Sequence, residues 1–180
     1  MKKEDRVRKA VELFMQGYNC SQSVVGAFSD LYGIDHDTAF RMSASFGAGI
    51  GRMRETCGAA CGMFMLAGLE KSNVVPDMKA KAENYKLVQE LANEFKKRNG
   101  SICCGVLLGI KKDETISNIP ESRTNEYYKK RPCVKMVEEA ARIWLEYYNK
   151  KEEKEKKNRK IRVSFILSEK SKQNCVTFIF

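Results

Sequence analysis

The chain has 180 residues, 43% of them hydrophobic, and a formal net charge of +10 at neutral pH. That length suits one domain with a core large enough to fold unaided, and the composition excludes a disordered chain. No apolar run approaches the roughly 20 residues that a bilayer span needs. The start, "MKKEDRVRKAVELFMQGYN", carries Glu4, Asp5 and Glu12 and lacks the apolar stretch of a secretory signal. A cytoplasmic protein is therefore expected, and in that compartment thiols stay reduced. The seven cysteines are accordingly not read as a disulfide framework. The charge is uneven: residues 151–180 hold nine Lys/Arg against four Glu, while the first 150 hold 24 basic and 19 acidic side chains. The body is only mildly basic, which argues against nucleic acid as its partner.

In chain order the pattern is helical. "EDRVRKAVELFMQ" sets Val7, Ala10, Val11, Phe14 and Met15 on one stripe of 3.6 period. Asn19, with Gln22 three residues on, forms a capping-box pattern for a helix that Gly33 can end. Asp35 starts a shorter helix that "GAGIG" ends. Thr56 is the expected cap of a helix running from Cys57 to about Leu66. Pro76-Asp77 starts a long amphipathic helix bearing Met78, Ala82, Tyr85, Leu91, Ala92 and Phe95, which Asn99-Gly100 ends. Ser101 is the expected cap of a short helix, "ICCGVLLG". Residues 110–130 read as a long polar loop. Pro132 opens the last body helix, with Val137, Ala140, Ala141, Trp144, Leu145 and Tyr148. The expected fold is all-α, a compact bundle of about six helices over residues 1–150. Residues 151–180 form a separate charged tail, strand-like or disordered, in which "IRVSFIL" and "CVTFIF" have strand composition. The charged run "KKEEKEKKNRK" could alternatively lengthen the last helix through Glu–Lys pairs.

The cysteines share a position. Cys20 follows Asn19, Cys57 follows Thr56, Cys103 and Cys104 follow Ser101, and Cys133 follows Pro132, each at the start of a predicted helix. Unpaired N–H groups and the positive end of the helix dipole favour thiolate there. Thiolate is the form that attacks disulfides and binds soft metals. Cys61, four residues after Cys57, extends the set on one helical face. The competing reading is that these are small buried hydrophobes.

Gly58 and Gly62 make a bare strip beside these cysteines. It would admit either a cofactor or, more simply, a closely packed helix. "FGAGIGR" follows no strand and matches neither a dinucleotide fingerprint nor a P-loop, so no nucleotide site is expected. It reads instead as a positive-φ connection that places Cys57. No Cys-x-x-Cys-His occurs, which excludes attachment of c-type haem, and no Cys-x-x-Cys occurs either. His36 is the only histidine and reads as solvated.

The stretches "GYNCSQSVV", "FGAGIGRMRETCGAACGMFMLAG", "KKRNGSICCGVLLG" and "RPCVKMVEEAARIW" together resemble the C-GCAxxG-C-C family, described as small redox-active proteins. The resemblance runs from about Val7 to Tyr148. It carries Cys20, Cys57, Cys104 and Cys133 onto the four family cysteines and leaves Cys61 and Cys103 as extras. The middle block reads Cys-Gly-Ala-Ala-Cys-Gly, so the Gly-Cys order of the family name is not reproduced. The family in turn resembles the N-terminal part of split-Soret cytochromes, which implies that an iron–sulfur cluster is plausible here.

Three functions follow as expectations. In the first, Cys20, Cys57, Cys104 and Cys133 bind an iron–sulfur cluster or another thiolate-held metal for electron transfer. In the second, a metal-free thiol redox enzyme uses Cys57 as attacking thiolate and Cys61, Cys20 or Cys104 as its resolving partner. The third is a helical interaction protein with buried cysteines. The expected partner is a redox partner of unspecified identity, with a homodimer as an option and no membrane.

Overall fold

The computed structural model describes residues 3–72, 74–111, 115 and 117–174. Among them are eight α-helices and one 3-10 turn: α1 (Lys3–Met15), α2 (Cys20–Phe28), the 3-10 turn Ser29–Tyr32, α3 (His36–Ala44), α4 (Gly58–Lys71), α5 (Met78–Asn99), α6 (Cys104–Leu107), α7 (Asn125–Lys130) and α8 (Cys133–Asn174). The all-α expectation holds. None of the described helices is long and apolar enough to cross a membrane.

The chain divides after Leu145 into two units. Within the first, α2 is the hub. It packs against α1, α3 and α4, and α4 packs in turn against α5. The composition of α2 explains this: all of it but Gln22 is buried. The core gathers Phe14, Val24, Phe28, Met63, Leu66, Phe95, Val137 and Trp144, all fully enclosed. Burying such side chains contributes about 1.5–3 kcal/mol each.

The stripes are slightly rotated from expectation. On α1, Leu13 is buried while Met15 is largely exposed. Arg6 is buried there instead, held by a two-pronged ion pair with Asp30 at 2.6 and 2.9 Å and by Ala27 O at 2.8 Å. That pairing holds the Asp30 carboxyl below its usual range. On α5 the apolar face is Leu87, Leu91 and Phe95, whereas Met78 and Tyr85 face solvent.

Caps follow the sequence closely. Asn19 Oδ1 accepts from the N–H groups of Ser21 and Gln22, and Gln22 Oε1 accepts from Asn19 N–H, which completes the box. Asp35 and Asp77 cap α3 and α5, and Gly33 and Gly100 take left-handed terminal positions. Three expectations need correction. Thr56 does not cap α4; Cys57 is itself the N-cap. Ser101 does not cap α6, whose N-cap is Cys103, although Ser101 Oγ accepts from Cys103 N–H at 3.0 Å. The loop 110–130 contains a short helix, α7, capped by Thr124.

The tail also differs from the expected strand-like extension. Residues 151–174 continue α8 as helix. A lone strand has no partner for its backbone groups, whereas a helix satisfies its own. Pairs Lys151–Glu155 at 3.7 Å and Lys156–Glu152 at 4.0 Å support that choice. The second expected strand segment, 175–180, lies outside the described residues.

Replacing Asn19 with Ala removes both N-cap acceptor bonds and should cost about 1 kcal/mol. A melting curve should shift down by about 2–4 °C. Deleting residues 151–180 should leave the cooperative transition of the remaining chain unchanged by circular dichroism. An unfolded product would show that the tail belongs to the domain.

Candidate functional site

Three short segments are brought together by backbone contacts that glycine permits. The stretch after the loop pairs with the stretch before α6 through an isolated antiparallel bridge, Thr56 to Cys103. Cys57 N–H donates to Ile102 O at 2.8 Å, Cys104 N–H to Glu55 O at 2.6 Å, and Gly105 N–H to Arg54 O at 2.9 Å. Cys57 and Cys104 are thereby held side by side. The start of α4 lies against that of α2: a Cβ on Gly58 would stand 2.7 Å from Phe46 O and 3.3 Å from Cys20 Cβ. The loop in turn presses on α6, because a Cβ on Gly49 would stand 2.6 Å from Cys104 Cβ.

That loop has a left-handed backbone over most of its length. Ala48, Gly49, Ile50, Gly51, Arg52 and Arg54 all have φ between 55° and 76°. The expectation of positive φ at "FGAGIGR" holds and extends beyond the glycines. Each non-glycine residue there costs about 1–2 kcal/mol. Such outliers concentrate where a site demands them, and here they deliver Arg52 and Arg54.

Cys20, Cys57, Cys104 and Cys133 line one cavity of about 50 Å³, with room for roughly three or four water-sized atoms. Arg54, Arg123, Arg131, Tyr127 and Met136 complete its wall, and no acidic side chain is among the described lining residues. Arg123 is anchored by donating to Phe14 O and Tyr18 O at 3.2 and 3.3 Å, with its guanidinium over the Phe14 ring at 4.5 Å. Among the described residues no three cysteine, histidine or acidic side chains close into a cage for a single ion. The donor set, four sulfurs flanked by guanidinium cations, still fits a thiolate-bound group.

Not every expected residue arrives. Cys61 is buried on α4 but does not line the cavity, and its thiol points to Thr56 O at 3.7 Å. The i,i+4 argument fails because Cys57 is the N-cap: its carbonyl accepts from Cys61 N–H at 2.9 Å, but its ψ of 129° is not helical. Gly62 packs against α2, where an added Cβ would meet Val24 Cβ at 2.8 Å, and is no cofactor seat. Cys103 points its thiol to Arg54 O at 3.4 Å. Cys175 lies outside the described residues. The arginines were not foreseen, although Arg52, Arg54 and Arg131 all stand within five residues of a cysteine. Arg123 has no such signal.

Burial outweighs the helix starts in setting thiol acidity. Burial pushes Cys57 up to about 12, against the smaller pull of the Ala59 and Ala60 N–H groups. Burial also pushes Cys61 up to about 11, and raises Cys104 against the pull of Arg54. The expected thiolate at Cys57 is therefore a thiol in the metal-free protein. Cys133 alone moves the other way, down to about 7, because its sulfur accepts a hydrogen bond from Cys20 and faces Arg131, Arg123 and Arg54. Cys20, as that donor and as a buried group, is held well above the usual thiol range.

In the metal-free protein, Cys133 should be the first thiol to react with iodoacetamide, with a midpoint near pH 7. Cys20→Ala removes the largest stabiliser of its thiolate, so the midpoint should rise toward 9. Mass spectrometry of tryptic peptides across a pH series reads both. Fastest labelling at Cys57 would contradict the electrostatics described above.

No match to a curated protein or to a solved structure was found. A family model described as "Putative redox-active protein (C_GCAxxG_C_C)" matches residues 18–147, a segment that begins just before Cys20 and ends beyond Trp144. The chain belongs to that C_GCAxxG_C_C family.

Proposed function

We propose that this is a redox protein in which Cys20, Cys57, Cys104 and Cys133 hold an iron–sulfur cluster or another thiolate-bound metal. One observation carries the reading: four cysteines from four separate helix starts line a single cavity. Four thiolates are the usual ligand number for such centres. A ring of sulfurs around a cavity suits a group of several atoms better than a single ion held at about 2.3 Å. When bound, the centre would supply electron transfer.

The chain's own residues would do the rest. Arg54, Arg123 and Arg131 offset the negative charge of the thiolates. The Ala59 and Ala60 N–H groups at the start of α4 pull toward thiolate at Cys57, and backbone dipoles of that kind tune a centre's potential. Tyr127 and Met136 give the cavity an apolar wall. Reduced thiols are consistent with a cytoplasmic location.

A second reading is favoured by the Cys20–Cys133 pair. In it the Cys133 thiolate attacks a disulfide and releases one thiolate. Cys20 then attacks the mixed disulfide and releases the second, leaving a Cys20–Cys133 disulfide as the oxidised product. Cys133 is the nucleophile in this scheme, not Cys57, because burial keeps Cys57 protonated.

Anaerobic purification with a visible spectrum and iron, zinc and sulfide analysis tests the choice. A bound centre should give metal and colour that are lost in Cys57→Ser and Cys104→Ser and retained in Cys175→Ser. Colourless, metal-free protein with disulfide exchange that needs Cys133 and Cys20 but survives Cys57→Ser would replace the first reading with the second.

A further inference from the structure

A second pocket, of about 330 Å³, adjoins the thiol cavity and shares Arg54, Arg131 and Leu108 with it. Arg52, Arg54, Lys130 and Arg131 line it, with Ser117 and Thr115 supplying hydroxyls. Glu121 is the one carboxylate among the described lining residues. It is already engaged by Arg131 and lies 3.9 Å from Arg52. Among the described lining residues, four cations therefore face one anion.

Arg54 makes this imbalance costly. It is only 8% exposed, and its Nε has no hydrogen-bond partner among the described residues. Leaving a buried guanidinium N–H without an acceptor is unfavourable. On Arg52 beside it, burial first and then Arg54 and Arg131 disfavour the charge, which Glu121 partly offsets. The strained φ values of Arg52 and Arg54 fix both guanidinium groups on this one pocket. Planar guanidinium forks match oxyanions in a bidentate way.

We propose that this pocket binds a small multivalent oxyanion, bearing phosphate or carboxylate groups, beside the thiol cavity. The ligand's charge completes the arginine set, and Arg54 stands between the ligand and Cys104. Arg54 and Arg131 face both cavities, so the charge on the thiols sets how strongly the pocket draws an anion, and the titration is made with and without metal.

Calorimetric titration of the full chain, both as isolated and metal-free, at physiological ionic strength with inorganic phosphate, pyrophosphate and citrate tests it. Saturable one-to-one binding of at least one probe is expected. Citrate alone would assign carboxylate chemistry, and phosphate or pyrophosphate alone the phosphate class. Arg52→Gln should weaken binding about tenfold. Glu121→Gln, which removes the competing carboxylate, should tighten it severalfold, a change opposite to that of general damage. No saturable binding of any probe, or binding indifferent to both substitutions, would overturn the proposal.

Discussion

The site depends on how closely backbone segments approach one another. Cysteines at positions 20, 57, 104 and 133 share a cavity only because chain segments meet at distances a β-carbon would forbid. Gly58 touches Phe46 O and the flank of Cys20, and Gly49 touches Cys104. Gly47 does the same against Asn19, the residue that caps α2 and donates to Ala44 O at 2.8 Å. Remove these contacts and the starts of α2, α4 and α6 separate. The bridge between Thr56 and Cys103 then has no support from the loop that presses on it.

Close packing creates an electrostatic problem that the arginines answer. Thiols this enclosed resist ionisation, since a thiolate in an apolar cavity loses its hydration. The N–H groups at a helix start pull in the opposite direction, and at Cys57 they do not prevail. At Cys133, which is less enclosed than Cys57, the bond from Cys20 and then three guanidinium groups tip the balance. The cavity thus favours negative charge on sulfur at Cys133 and disfavours it at Cys20, Cys57 and Cys104.

The loop 48–54 joins the two features. Its left-handed backbone presses Gly49 onto Cys104 and presents Arg52 and Arg54 on the pocket side. Strain of this kind persists only where surrounding structure over-determines it. Here the bond from Gly105 N–H to Arg54 O and that from Glu55 N–H to Gly49 O hold the loop at both ends.

Much of this was legible in the residues. The helices, their caps at Asn19, Asp35 and Asp77, and their glycine ends are local properties, written by side chains within a few positions of each terminus. The grouping of Cys20, Cys57, Cys104 and Cys133 was legible because each stands at a helix start and together they follow a family pattern. What tertiary structure decided was everything that depends on distance through space. It left Cys61 outside the cavity, because Cys57 is an N-cap with a non-helical ψ of 129°, and Gly62 outside it, packed against Val24 of α2. It drew Arg123 in from a polar loop by bonds to the end of α1. It made Cys133 the acidic thiol and kept Cys57 protonated, because burial and neighbouring charge are set by packing and not by position along the chain.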